Sequence, residues 1–170
     1  MGIISIFPAG ATKPYIEETY NSNGQLIDAK MYGYEEIRNN AFYACTNLAS
    51  TSLPSGITRI GNNAFYFCSK LALTSLPSGI TSIGTGAFEG CSNLALTSLP
   101  SGITSIGNNA FNNCSSLVSL TFEGTPANIS VNAFAGCNNL TTINVPWAEG
   151  AVANAPWGAT NATINYGHTG

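Results

Sequence analysis

Apolar residues return along this chain at one fixed interval. Phenylalanine recurs at Phe42, Phe65, Phe88, Phe111 and Phe134, each 23 residues after the one before. Cysteine keeps the same 23-residue step at Cys45, Cys68, Cys91, Cys114 and Cys137, and leucine keeps it at Leu48, Leu71, Leu94, Leu117 and Leu140. A fourth column reads Ile37, Ile60, Ile83, Ile106 and Ile129. A period between about 20 and 50 residues marks a solenoid, because one such unit is too small to bury its own apolar face and must stack on its neighbours. About five units of 23 residues are expected, within a single domain of 170 residues.

The local chemistry of one unit reads as strand, turn, extended segment and helical turn. In Ala87-Phe88-Glu89-Gly90-Cys91, Phe and Cys stand three apart, on one side of a short helical turn. Asn62-Asn63, Asn108-Asn109 and Asn132 precede equivalent elements and suit N-caps. Residues 94–99 are short and apolar enough for a strand, and Leu99-Pro100-Ser101-Gly102 fits a type I turn. Ile103-Thr104-Ser105-Ile106 follows as an extended piece, and Gly107 turns the chain into the next unit. Stacked units would set successive strands about 4.8 Å apart in a parallel ladder.

Both ends break the period. Residues 15–20 and 25–31 flank Asn23-Gly24, a hairpin signal, and are expected to cap the first repeat and blunt its open edge. The N-terminal cap is placed at 1–33, the repeats at 34–146 and a C-terminal cap at 147–170. Trp147 and Trp157 are expected to pack over the last repeat, with ligand binding as the alternative.

Charge changes the picture more than length does. Charged residues make up only 8% of the chain, against roughly a quarter in an ordinary soluble domain. All five basic residues lie before residue 71, and residues 71–170 carry only Glu89, Glu123 and Glu149. Such a chain lacks the clustered cations needed to hold a nucleic-acid backbone or an anionic membrane surface. No run approaches the roughly 18 to 20 apolar residues of a membrane span, so no membrane insertion is expected. The apolar start at residues 1–7 has no basic flank and is not expected to act as a signal peptide. That leaves open whether the protein stays inside the cell or has lost an export signal.

The columns, written as Ala-Phe-x-x-Cys-x-x-Leu, then Leu-Pro, then Ile-x-x-Ile-Gly, resemble the BspA-like leucine-rich repeats of bacterial surface proteins. The resemblance spans roughly residues 34–146. It implies a leucine-rich repeat solenoid, a right-handed β/α superhelix with a parallel strand ladder and short helical turns. It also implies a protein without enzymatic activity, secreted or on the bacterial surface, that serves adhesion or binds host or neighbouring-cell components.

One departure from that pattern stands out. Three residues after the leucine column the family carries a second aliphatic residue, as Leu120 and Ile143 do here, but three repeats carry Thr51, Thr74 and Thr97. In two of those a leucine sits one residue earlier, at Leu73 and Leu96. Either the strand slips by one residue there or those leucines point outward. With aliphatics at the family's inward positions, the ladder would display Ser50, Ser52, Leu73, Ser75, Leu96, Ser98, Ser119, Thr121, Thr142 and Asn144.

Catalytic chemistry finds little to work with. Five cysteines at a 23-residue spacing are unlike the paired short gaps of a zinc site, and an odd number leaves one unpaired, so a column of buried free thiols is expected. His168 is the sole histidine and Asp28 the sole aspartate. Glu17-Glu18 and Glu35-Glu36 are adjacent pairs, and adjacent strand residues face opposite sides. No catalytic residue, metal ligand or cofactor is expected. The expected function is interaction or adhesion, with a protein or glycan bound on the strand-ladder face. The alternative is a structural or phage-type assembly module with no external ligand.

Overall fold

The 23-residue period becomes one coil of a solenoid because each short strand pairs in parallel with the strand one period later. In the computed structural model, which describes residues 14–170, the isoleucine column forms the first ladder. Its strands are β3 (Glu36–Ile37), β4 (Arg59–Ile60), β5 (Ser82–Ile83), β7 (Ser105–Ile106) and β9 (Asn128–Ile129), adjacent in that order. Ile60 stands opposite Ile37 and Ile83, and Ile106 opposite Ile83 and Ile129. A second parallel ladder joins β6 (Ser98–Leu99), β8 (Ser119–Phe122), β10 (Thr142–Asn144) and β11 (Thr163–Asn165). The strands are short because the chain must turn several times within each period, and the stacking between coils holds them in place.

The core lies between the ladders. The phenylalanine rings form one continuous stack, with centroids 5.3 Å apart from Phe42 to Phe65, 5.4 Å to Phe88, 5.4 Å to Phe111 and 5.1 Å to Phe134. Leucines of the Leu48 column and isoleucines of the Ile37 column are buried beside them. Small hydroxyls tie the outside of the stack together. Thr58, Thr81 and Thr104 each donate an Oγ1–H to a carbonyl one coil back, at 3.0–3.1 Å.

The element around Phe and Cys is not the short helical turn expected. Within it, alternate N–H groups bond three residues back, as Tyr66 does to Asn63 (3.2 Å) and Cys68 to Phe65 (3.0 Å). The N–H groups between them bond the next coil, as Phe65 does to Ala87 (2.8 Å) and Phe67 to Glu89 (2.7 Å). Asn63 (φ 54°) and Phe67 (φ 53°) sit in the left-handed region, which a right-handed helix does not contain. Stacking thus claims half of the donors a helix would use internally. The asparagines read as N-caps serve the stack too: Oδ1 of Asn39 accepts from the N–H of Asn62 (2.8 Å), and Oδ1 of Asn62 from that of Thr85 (2.9 Å). The proline turn closes one residue later than expected, from the carbonyl of Pro100 to the N–H of Ile103 (3.4 Å).

At the N-terminal end, β1 (Tyr15–Tyr20) and β2 (Leu26–Tyr32) form the expected antiparallel hairpin. It adjoins the first coil through the N–H of Ala49, which donates to the carbonyl of Ile27 (2.8 Å). Residues 1–13, which include the apolar start, lie outside the described residues. At the other end the chain after residue 146 makes one more, shorter coil: Thr163 pairs with Thr142, 21 residues earlier. Trp157 is fully buried in it, and its carbonyl accepts the N–H of Phe134 (2.8 Å). Trp147 packs edge-on at 6.1 Å from Trp157 and 5.3 Å from Phe122, so both tryptophans close the end of the core.

Candidate functional site

The path of the chain through the second ladder decides which side chains it presents. Leu73 is 0% exposed and Leu96 2%, so both belong to the core and neither lies on the displayed stripe. The strand has slipped, but only locally. In the third coil the buried positions are Leu94, Leu96 and Leu99; in the fourth they are Leu117, Leu120 and Phe122. Both segments span the same length, and Ser98 still pairs with Thr121 and Leu99 with Phe122. The three-residue step merely falls after Leu96 in one coil and before Leu120 in the other. Alternation from Leu94 to Leu96 was the signal for this, since strand side chains two apart share a face.

Ser50 occupies the same column as Leu73 in the first coil and is also turned in. It is buried, donates its Oγ–H to Oδ1 of Asp28 (2.6 Å) and accepts the N–H of Ala29 (3.4 Å). The first coil can hold a polar residue there because the hairpin supplies a partner. Ser52, Ser75 and Ser119 are exposed as expected, and Ser98, Thr121, Thr142 and Asn144 are half-buried on the outer side. Thr51, Thr74 and Thr97, which the inward assignment had hidden, join them on the surface, and Val118 is 56% exposed among them.

These groups are linked along the solenoid axis. Asn144 donates Nδ2–H to Oγ1 of Thr121 (3.2 Å), and Asn165 donates to Oδ1 of Asn144 (2.8 Å). On this side of the solenoid, from Thr51 to Asn165, the outward positions carry hydroxyl, amide and small apolar groups, and Glu123, just past the end of β8, is the charge at its edge. A broad neutral face of this kind offers many hydrogen-bond donors and acceptors without electrostatic steering. A shallow polar groove along the first ladder, lined by Arg59, Ser82, Ser105 and Asn128, is the less uniform surface.

All five thiols in the cysteine column are free, and four of them, Cys68, Cys91, Cys114 and Cys137, are buried away from reagents. Each of these four donates its S–H to the carbonyl of the phenylalanine 26 residues earlier, at 3.0–3.1 Å. Cysteine therefore does two things there, filling a small apolar space and supplying a weak donor. Burial pushes the Cys68 thiol up to about 12 and that of Cys137 up to about 11, away from the thiolate that nucleophilic chemistry needs. A disulfide-exchange reagent at neutral pH is expected to label Cys45 promptly and the other four only as fast as the protein unfolds. Prompt labelling of several thiols, counted by mass, would contradict the burial of the column. Among the described residues no group of three or more His, Cys, Asp or Glu is placed to hold a metal ion, and no helix is long and apolar enough to cross a membrane.

Residues 35–152 match the BspA type leucine-rich repeat region in six copies. No curated protein matches the sequence. Among solved structures, the leucine-rich repeat protein of T. pallidum is similar at a TM-score of 0.60 and 24% identity, over 96% of this chain and 83% of that one. A leucine-rich cell surface protein from Faecalibacterium prausnitzii A2-165 is similar at a TM-score of 0.54 and 21% identity. There the alignment covers 94% of this chain but 56% of the other, so this chain spans little more than half of that protein's length. At these identities the likeness is one of fold.

Proposed function

Because this chain belongs to the BspA-type leucine-rich repeat family, we propose that it is a non-catalytic interaction module that binds a protein or glycan through the outer face of its second ladder. The partner class proposed is a component of a host or neighbouring-cell surface, and the site of action is the bacterial surface or its surroundings. The observation that carries the reading is the outward surface running from Thr51 to Asn165, whose strand positions carry no charge and which has Glu123 at its edge. Stacking needs no particular residue at these positions beyond a small neutral one. Yet they form one continuous face of like chemistry, suited to contact over a wide area. The thiols and carboxylates supply no convergent acid, base or nucleophile to set against it.

The test is a panel of extracellular-matrix proteins and glycans presented to the purified, folded chain. Binding through this face is expected to change less than about twofold between low and physiological salt, since no charges need screening. Replacing Ser98 and Thr121 together by arginine should weaken it at least about tenfold, because two long cations would stand 23 residues and one coil apart on the contact surface. The melting temperature should fall somewhat, because the two cations repel each other across adjacent coils, so binding is measured well below it, on protein that circular dichroism shows to be folded. Silence across the panel from folded protein, or binding that survives both arginines, would count against the proposal.

A further inference from the structure

A second surface lies on the Phe-x-x-Cys side of the first coils, away from both ladders. The column one residue after phenylalanine reads Tyr43, Tyr66, Glu89, Asn112 and Ala135, and the next reads Ala44, Phe67, Gly90, Asn113 and Gly136. The later coils show what the fold itself asks for: a small residue in the first column, and in the second a residue at ease with positive φ. Tyr43 and Tyr66 depart from the first preference and Phe67 from the second. Phe67 holds φ 53°, which is unfavourable for an aromatic residue, and it leaves 44% of its surface exposed.

Its neighbours are of the same kind. Tyr43, 50% exposed, stacks on Tyr66 with centroids 4.7 Å apart, and Tyr66 meets Phe67 edge-on at 4.6 Å. The Phe67 ring lies flat over Gly90, where even a Cβ would come within 3.0 Å of ring atoms. Glu89 follows Tyr66 on the next coil, and the N–H of Phe67 donates to its carbonyl (2.7 Å). Among the described residues the one ion pair joins Arg38 to Glu36, so Glu89 faces no cation, and Lys70 bonds Asn47 instead.

We propose that Tyr43, Tyr66, Phe67 and Glu89 form a docking site for an arginine or lysine side chain of a partner protein. Charge complementarity selects that occupant. Aromatic faces attract a cation, a neighbouring carboxylate adds to the attraction, and a guanidinium can stack on one ring while it bonds to the other group. Tyrosine and phenylalanine are also enriched at the buried centres of protein contacts. This site is independent of the ladder face, and its salt response differs: binding here weakens as ionic strength rises, where binding at the ladder face barely changes.

Tetra-arginine, tetra-glutamate, tetra-serine and maltohexaose, titrated separately into the full chain and followed by NMR of the aromatic side chains, test it. Tetra-arginine is expected to shift the Tyr43, Tyr66 and Phe67 ring signals and to leave the two tryptophans unmoved. Glu89→Gln and Phe67→Asn should each lower that affinity about threefold to tenfold. Phe67→Asn should keep the fold, since Asn113 holds the same position in the fourth coil with φ 59°. Equal shifts with tetra-serine or maltohexaose would overturn the proposal, the latter by making the patch a sugar platform. So would an affinity unchanged in both variants.

Discussion

Replacing Phe88 with alanine is expected to cost about 3–5 kcal/mol, among the largest losses available to a single substitution in this chain. The ring is wholly buried and stands 5.4 Å from Phe65 on one side and 5.4 Å from Phe111 on the other. Truncation removes the transfer energy of the ring, leaves a cavity in the stack and deletes two aromatic contacts at once. Neighbouring backbone cannot close the gap, because the coils on both sides are held by hydrogen bonds such as that from the N–H of Phe88 to Ala110 (2.7 Å). For a chain of this length the loss corresponds to a fall in melting temperature of roughly 10 °C. Phe42→Ala supplies the internal control. Phe42 has one stacked neighbour in place of two and is 5% exposed, so its loss should be clearly smaller. Equal losses at the two sites, by urea or thermal unfolding, would mean that the energy does not come from stacking between coils.

Stacking also accounts for the scarcity of charge. Any residue written into the repeat meets its own copy about 4.8 Å away on the next coil, and two like charges at that distance repel. Hydroxyls and amides instead gain a partner from the same arrangement, as Thr81 does at the carbonyl of Thr58 and Asn161 at that of Asn138. The uncharged surface proposed to bind a partner is therefore first a consequence of how the coils are held. The aromatic patch differs, since the coils after Glu89 do without it.

The period was legible in the sequence because in-register stacking demands the same side chain at the same step, and Phe, Cys, Leu and Ile each keep that step. The hairpin was legible from Asn23-Gly24. The Phe-x-x-Cys element was misread as helical because Phe and Cys three apart suit a helix and a chain of turns equally well. The distinguishing mark was present: Asn and Gly occupy the positive-φ sites at Asn63, Gly86, Gly90, Asn109 and Asn113. The sixth coil was hidden by its shorter 21-residue step, and by a tryptophan in place of a column phenylalanine. The thiol donors at Cys68 and its successors were beyond reach, since nothing in a spacing tells which carbonyl a side chain meets.

The outer face was only half legible, and Leu96→Ser measures why. Leu96 is 2% exposed, so the substitution removes a buried aliphatic side chain and leaves a hydroxyl in its place; a loss of about 3 kcal/mol or more is expected. Serine is tolerated in this column at Ser50 only because Asp28 and the N–H of Ala29 receive it, and the third coil has no such partner. Thr97→Ala, one residue along and exposed, should change stability by less than about 0.5 kcal/mol. The double change Leu96→Ser with Thr97→Leu is more informative still. It rewrites the third coil in the pattern of the fourth, where Leu120 is buried three residues after Leu117 and Ser119 faces out. Because the two patterns have equal length and pair in the same register, the coil should adopt the second one and recover much of the stability lost in the single variant. A double variant no more stable than Leu96→Ser alone would show that something other than the position of the leucine sets the slip.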